Sequence, residues 1–440
     1  MRQHDSATRP DDTPDAPRRR WSPRAAVNQT FRALRNRNYR LFWSGQIIST
    51  VGTWMQRIAL AWLVLDLTGS AFALGLVTTF QSLPVLFLSL FGGVIADRFP
   101  KRSLLLVTQT AKLVQSAALA VLVAAGSANL PVIYALAAAL GIANALDSPA
   151  RQSFVKEMVG PDDLPNAIAL NSIVFNTARL LGPALGGLTI AAVGVAGCFT
   201  INAVSFVGVL VGLLMMRPEE LYDVPAANRG RVLSQIGDGI RYATRTPDIA
   251  VVLLLMAVIG TFGYNFTVIL PLIAKYVLDA GPVGFGVLTS SMAVGSLAAA
   301  VCIAYSGRVS QRTLLIGASG FPILLTALAI STSWPTTVAV LILLGLSSIV
   351  FSATANSRLQ MLSLPEFRGR VMSFYTLLFM GSTPIGSLVI GTLAERQGIR
   401  LAVFELALVC AAGVVAGYLY IRSRSTGEAG STTLRQREAP

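Results

Sequence analysis

Between Phe72 and Ala125 the chain reads FALGLVTTFQSLPVLFLSLFGGVIADRFPKRSLLLVTQTAKLVQSAALAVLVAA. Its two apolar runs, 72–95 and 103–125, are each long enough to cross the roughly 30 Å core of a bilayer, which takes about 20 helical residues. Apart from Lys112, the charge sits in the short loop between them, on Asp97, Arg98, Lys101 and Arg102. The same layout recurs outward in both directions. It predicts twelve spans, near 41–66, 72–95, 103–125, 130–149, 166–190, 195–216, 249–274, 284–306, 313–331, 335–355, 371–393 and 401–421. The expected fold is therefore an all-α membrane protein with twelve transmembrane helices.

Composition agrees. Of 440 residues, 53% are apolar without counting the 38 glycines, and only 13% are charged, against about 25% charged in a soluble domain. This excludes a disordered, collagenous or disulfide-framework chain. The net charge of +14 does not imply nucleic acid, because the cations lie in a basic tail and in every second loop. Cys198, Cys302 and Cys410 are far apart, each inside an apolar run, and fit neither a disulfide framework nor a metal knuckle. The single histidine, His4, lies in the tail, so no zinc site or intramembrane histidine relay is expected. The first apolar run starts only at Leu41 and is too long for the core of a secretory signal.

Twenty-nine of the 35 Lys and Arg fall in the N-terminal tail, the even-to-odd connections and the C-terminal tail; Lys275, Arg396 and Arg400 lie on the opposite side. By the positive-inside rule both termini of this multi-pass chain are expected to be cytoplasmic.

Residues 1–38 form a proline-bearing basic tail expected to be mostly disordered, with a short juxtamembrane helix over Phe31–Arg40. Residues 39–216 form a first six-helix bundle, 217–248 a cytoplasmic linker with an amphipathic helix over Val232–Tyr242, 249–421 a second bundle, and 422–440 a cytoplasmic tail. The bundles echo each other. Asp97-Arg98-Phe99-Pro100-Lys101-Arg102-Ser103-Leu104-Leu105 after span 2 has its counterpart in Gly307-Arg308-Val309-Ser310-Gln311-Arg312-Thr313-Leu314-Leu315 after span 8. Gly182-Pro183 with Gly186 in span 5 has its counterpart in Thr383-Pro384 with Gly386 in span 11. Parallel repeats about a membrane-normal axis are one way of building a transporter, so the bundles are read as pseudo-symmetric.

The loop Gly93-x-Ile95-Ala96-Asp97-Arg98-x-x-Lys101-Arg102 resembles the loop signature of the major facilitator superfamily, and Gly182-Pro183-x-x-Gly186-Gly187 resembles its antiporter motif. Gly52-Thr53-Trp54-Met55-Gln56, Asp147-Ser148-Pro149-Ala150-Arg151 and Arg368-Gly369-Arg370-Val371-Met372-Ser373 narrow the resemblance to a bacterial branch that holds the enterobactin exporter and related drug-efflux proteins. The resemblance covers residues 38–421. It departs from the superfamily at Pro100, where glycine is usual, and in the second loop copy, where Gly307 stands in the place of Asp97. It implies the major facilitator fold, with spans 1, 4, 7 and 10 around a central cavity and 2, 5, 8 and 11 beside them. It also implies that Gly93, Asp97, Arg98, Lys101 and Arg102 lock helix ends in one state, and that Gly182, Pro183, Gly186 and Gly187 keep the cavity sealed. A plain positive-inside loop is the competing reading of the first set. For the second, close helix approach at glycine agrees with sealing.

An ionisable group at mid-span costs about 2.5–3.5 kcal/mol to insert and so should face the protein interior. Arg57, Lys112 and Arg179 are the deep candidates, all basic. Gln46, Thr50, Thr53 and Arg57 form one polar stripe at helical spacing, and Ser172, Asn176, Arg179 and Pro183 another. Arg57 and Arg179 are expected in the cavity, in a substrate or gating role weighed against interhelical hydrogen bonding; Lys112 is expected to be structural. Further cavity candidates are Gln46, Trp54, Gln56, Gln81, Asn144, Tyr264, Asn265, Asn356 and Tyr375. Asp147 and Arg151, an i,i+4 pair, are either an ordinary helix pair or a proton-responsive gate.

Buried cations rather than acids favour an acidic, siderophore-like or amphiphilic solute. The expected function is secondary, proton-coupled efflux by alternating access, with import, or a transporter-derived scaffold or sensor, as alternatives. No phosphate loop is present, since none of the four lysines follows a glycine, and no soluble segment is long enough for a nucleotide-binding domain. An enzyme is not expected, nor a cofactor or metal. The expected partners are a small-molecule substrate, protons and membrane lipid, and the expected state is a monomer.

Overall fold

The computed structural model describes residues 30–223, 232–307 and 310–437, including every side chain except those at 89–94, 96–97, 232–236, 238, 380 and 424–437. The expected disorder of the tail up to residue 29, the surroundings of Gly93 and the side chain of Asp97 lie outside what is described.

Span 1, Arg37–Thr68, stops at Gly69, whose left-handed backbone (φ 64°) suits a residue without Cβ. Ser70 then accepts the Ala73 N–H at 3.1 Å and caps span 2, Ala71–Arg98. Span 3 is Lys101–Ala124, and Asn129 caps the following helix by accepting from Val132 N–H at 3.1 Å. That helix runs from Leu130 to Leu214, 85 residues. If straight it would extend about 130 Å, several times the bilayer core. Gly160 (φ 69°, ψ −178°) and Gly194 (φ 75°, ψ 176°) divide it into spans 4 (130–159), 5 (161–193) and 6 (195–214).

Cross-contacts show that both glycines are reversals. Tyr39 meets Ala167, and Trp54 meets Gly182, so span 5 runs parallel to span 1. Gly45 lies on Val209 and Gly52 on Asn202, so span 6 runs antiparallel to it. Span 4 runs antiparallel to span 3, with Lys101 beside Glu157 and Gln109 beside Asp147. Ten long apolar helices are present among the described residues; with the longest holding three, the chain crosses twelve times. The remaining spans are 7 (Pro247–Tyr276), 8 (Pro282–Ser306), 9 (Gln311–Ile330), 10 (Trp334–Leu362), 11 (Pro365–Gln397) and 12, which begins the helix Ile399–Arg437.

Three details differ from the sequence reading. The Phe31–Arg40 segment is a 3-10 turn, Arg32–Arg35, followed by the first turn of span 1, because Asn36 is extended (φ −68°, ψ 115°). Arg32 pairs there with Asp163, and Ala33 N–H donates to Asn166 Oδ1 at 2.9 Å. The amphipathic linker helix extends through Arg245 and stacks Tyr242 on Phe367, 4.3 Å between ring centroids. Spans 7 and 11 are broken midway by π turns at Ile259–Gly263 and Leu377–Gly381.

Span 3 shows how sequence sorts lipid from protein. Val107, Val114 and Val121, spaced by seven, are 65%, 57% and 66% exposed, whereas Thr108, Gln109, Lys112, Gln115 and Ser116 are buried. In a bilayer the apolar stripe faces acyl chains and the polar stripe faces the bundle. The two six-helix halves meet along two seams, span 2 on span 11 and span 5 on span 8. The pseudo-symmetry that exchanges spans 2 and 8, and spans 5 and 11, converts one seam into the other.

Candidate functional site

Both seams are tight towards one face of the molecule, the far face, opposite the chain termini. Along span 5, Gly187 lies against Pro282, where an added Cβ would fall 2.5 Å from its carbonyl oxygen, and Gly286 of span 8 lies against the Pro183 carbonyl. Ser290 donates to Leu180 O at 2.7 Å. Along span 2, Gly75 abuts the Ser387 carbonyl, and Thr79 Oγ1 lies 3.1 Å from Ser387 Oγ. Within the first half, Gly182 and Gly186 allow Trp54 and Met55 of span 1 to approach. The four residues of the Gly182–Gly187 motif thus pack span 5 against span 1 on one side and span 8 on the other.

Deeper in, the span 5–8 seam reaches Arg179, which donates to Ser296 Oγ at 3.4 Å, and the span 2–11 seam reaches Gly381, which lies against Leu86. Beyond them span 8 is exposed over Ala300–Cys302 and Ala304–Ser306, and the stripe of span 5 that contacts it higher up continues as exposed Asn176 and Ser172. The halves part towards the face that carries the termini.

Arg57 lies at this parting. It is exposed although its neighbours Gln56 and Ile58 are buried, and its guanidinium sits 4.4 Å from the Trp54 ring centroid. It has no carboxylate partner among the described residues. Arg179 and Lys112 lie within Coulombic range of it. Across the parting stands Tyr264, also in Coulombic range of Arg179. Its hydroxyl donates to Ser348 O at 2.9 Å, and its ring packs on Phe266, Phe321 and Phe379. Tyr264 follows the π turn of span 7, where the helix is interrupted at depth, and Tyr375 stacks on Phe379 in the π turn of span 11. Asn356 is half-buried near it and accepts from Gln360 at 2.6 Å. Thr53, Trp54, Gln81 and Asn144 are half-buried.

Three expected cavity residues are placed elsewhere. Gln56, 4% exposed, is enclosed by spans 3 and 6: it donates to Gln115 at 3.0 Å and accepts from Ser116 at 2.7 Å and Asn202 at 2.5 Å. Asn265, 1% exposed, donates to Thr261 O at 2.7 Å and lies against Gly386 of span 11. Gln46 is buried and accepts from Arg151 at 3.3 Å. A buried amide needs partners: Gln56 finds them in spans 3 and 6, Gln46 Oε1 finds Arg151 of span 4 while its Nε2 has none among the described residues, and Asn265 bonds back within span 7.

Asp147 gains more partners than its sequence suggests. It is buried and takes ion pairs from Arg151 and, at 3.0 Å, from Lys112, with hydrogen bonds from Thr108 (3.0 Å) and Gln109 (2.6 Å). The i,i+4 partner was visible in the sequence, but the Lys112 partner on span 3 was not. Lys112 thus serves to tie helices 3 and 4. Among the described residues, four cations, Arg57, Lys112, Arg151 and Arg179, are spread along this interior of the first half with Asp147 as their one carboxylate neighbour, so the zone carries a positive excess.

At the terminal face Lys101 pairs with Glu157 at 2.8 Å, and Arg102 donates to the last carbonyls of span 6, Leu213 (2.8 Å) and Leu214 (3.1 Å). The basic loop therefore anchors spans 4 and 6 to span 3. Arg98 is exposed.

Twelve apolar spans in two pseudo-symmetric bundles, closed at one face and parted at the other around polar groups at depth, define a major facilitator transporter. The profile of the family described as Transmembrane secretion effector matches residues 28–437, and the chain belongs to that family. It is 27% identical over 389 residues to the staphyloferrin A transporter of Staphylococcus aureus, covering 84% of this chain and 93% of that one. It is 26% identical over 379 residues to the multidrug efflux pump Tap of Mycolicibacterium fortuitum, covering 82% and 90%. The crystal structure of the POT family transporter PepTSo superposes with a TM-score of 0.70 at 14% identity, over 89% of this chain and 99% of that one, which shows the shared fold.

Proposed function

We propose that this transporter exports a small amphiphilic solute bearing acidic groups, driven by the proton gradient through alternating access. The terminal face is then cytoplasmic in a bacterial inner membrane, as the Lys and Arg distribution favours, and the parted state is open inward. The observation that carries the reading is Arg57, a cation at mid-span that is accessible, backed by an aromatic ring and without a carboxylate partner among the described residues. Such a group is costly in lipid and suited to a carboxylate or catecholate brought into the cavity. Arg179 stands beside it, and Tyr264, in Coulombic range of Arg179, contributes an aromatic wall for the apolar part of the solute. Relatives named for staphyloferrin A transport and for multidrug efflux support a solute of this kind.

Everted membrane vesicles test this. Accumulation of an acidic amphiphile should collapse when a protonophore is added. Arg57→Ala and Arg179→Ala should each lower acidic uptake by about tenfold, the equivalent of one charged hydrogen bond, with a neutral amphiphile much less affected. Undiminished acidic transport in both variants would refute the substrate class.

A further inference from the structure

At the far face the second half grips the tight connection between spans 1 and 2. Glu395 of span 11 presents one oxygen, Oε2, to three donors: Ser70 Oγ at 3.1 Å, Ala71 N at 2.7 Å and Phe72 N at 3.2 Å. Ser70 Oγ at the same time accepts from Ala73 N, so the first three amides of span 2 are all satisfied. The partner end is held with opposite polarity. Lys275 of span 7 donates to Leu65 O at 2.9 Å, near the C-terminal end of span 1, and lies 3.4 Å from Asp66 Oδ1. Tyr276 donates to Gly69 O at 2.7 Å. An anion sits on a helix N-terminus and a cation on a helix C-terminus, the favourable sense of both macrodipoles. Each of these contacts joins one half to the other, and the far face cannot open without breaking them.

We propose that Glu395 is a proton-binding gate residue: as a carboxylate it holds the far face shut, and on accepting a proton from that side it releases the first half. The inference rests on the reading of the chain as a proton-driven carrier and names a site where the coupling proton binds. All three partners of Oε2 are donors. A proton on that oxygen sets a donor against donors, and a proton on Oε1 removes the charge that the helix end attracts. The other charged groups around the latch are Lys275 and Asp66, which pair with each other, the Tyr276 hydroxyl within Coulombic range, and Arg396 next in the chain. Glu405 of span 12 is engaged by Gln397 at 2.5 Å. Glu395 is exposed, so protons reach it without crossing the seam.

Spin labels at Ser127→Cys and Thr332→Cys, on exposed far-face loops of the two halves, read the opening by pulsed dipolar spectroscopy. The three native cysteines are replaced by alanine. In the otherwise unaltered chain the main population should lie at the shorter distance at neutral pH and shift to a longer one in acid. Glu395→Gln should show the longer distance at both pH values, and Glu395→Asp, which keeps the carboxylate, should retain the pH response. A distance that ignores pH, or a Glu395→Gln chain that behaves as its parent, overturns the proposal. If Glu395→Gln does not fold, Glu395→Ala, which also removes the carboxylate, takes its place and should likewise show the longer distance at both pH values. Solute uptake in everted vesicles is measured separately. Intact distance shifts with uptake indifferent to a protonophore would refute the proton-driven reading and leave the latch standing.

Discussion

Asp147 and Arg57 are both charged groups deep in the first half, yet their surroundings assign them opposite kinds of work. Asp147 is enclosed, with every observed partner a protein donor, so its charge is used up in joining spans 3 and 4. Arg57 is open, with a ring on one side. Removing the carboxylate by Asp147→Asn leaves the Lys112 ammonium, 4% exposed, without an anion in a poorly solvated place. Breaking a buried pair in this way costs about 3–5 kcal/mol. Asp147→Asn should therefore lower the thermal stability of the detergent-purified protein sharply, and adding Lys112→Met should restore most of it, since the second change removes the stranded charge. Arg151 needs no such rescue because its side chain is 32% exposed. Arg57→Ala, by contrast, should leave the melting temperature close to that of its parent while transport falls. A melting curve for Asp147→Asn that overlays the parent would show that the Lys112 pair contributes nothing to the fold.

Among the elements, span 5 carries the heaviest packing demands, since it must fit span 1 and span 8 at once. Gly187 is the glycine of span 5 that meets span 8 directly. Gly187→Val would press its side chain into the Pro282 carbonyl and Val283 Cα, and overpacking of this kind costs about 1–3 kcal/mol. The penalty falls on the closed far face alone, so the variant should raise labelling of an Ala184→Cys probe, half-buried beside Gly286 in the same seam, by an impermeant maleimide applied from that side, with little loss of folded protein. Span 5 also shows what was legible beforehand. Gly182, Pro183, Gly186 and Gly187 announced close packing through residue type, and the polar stripe through Asn176 and Arg179 announced its face by helical period. The burial of Gln56 and Asn265 was not legible, because an amide in an apolar run reads alike whether it meets a cavity or a partner such as Asn202 five spans away in the sequence. The π turns of spans 7 and 11 were missed too. Gly260, Gly263 and Gly381 mark them only as small residues, and what opens the helix is packing of one broken span on the other, with Gly260 lying on the Leu378 carbonyl.

For the whole molecule, the two seams act as one hinge system, because pseudo-symmetry makes the span 2–11 and span 5–8 contacts equivalent and both lie nearer the far face. A rigid-body rock of one half against the other would open these seams while closing the gap at the terminal face, where Asn176 and Ser172 are now exposed. Asn176 therefore reports both the orientation in the membrane and the state. In the parted state Asn176→Cys should react with an impermeant maleimide in everted vesicles and be protected in intact cells, if the terminal face is cytoplasmic. The opposite pattern would reverse the topology inferred from Lys and Arg, and equal reaction from both sides would mean that the seams do not seal. Adding Gly187→Val, which disfavours the closed far face, should lower the labelling in everted vesicles. The same steric wedge that opens one face must close the other if the halves move as units, and labelling that stays unchanged would require the two faces to open independently.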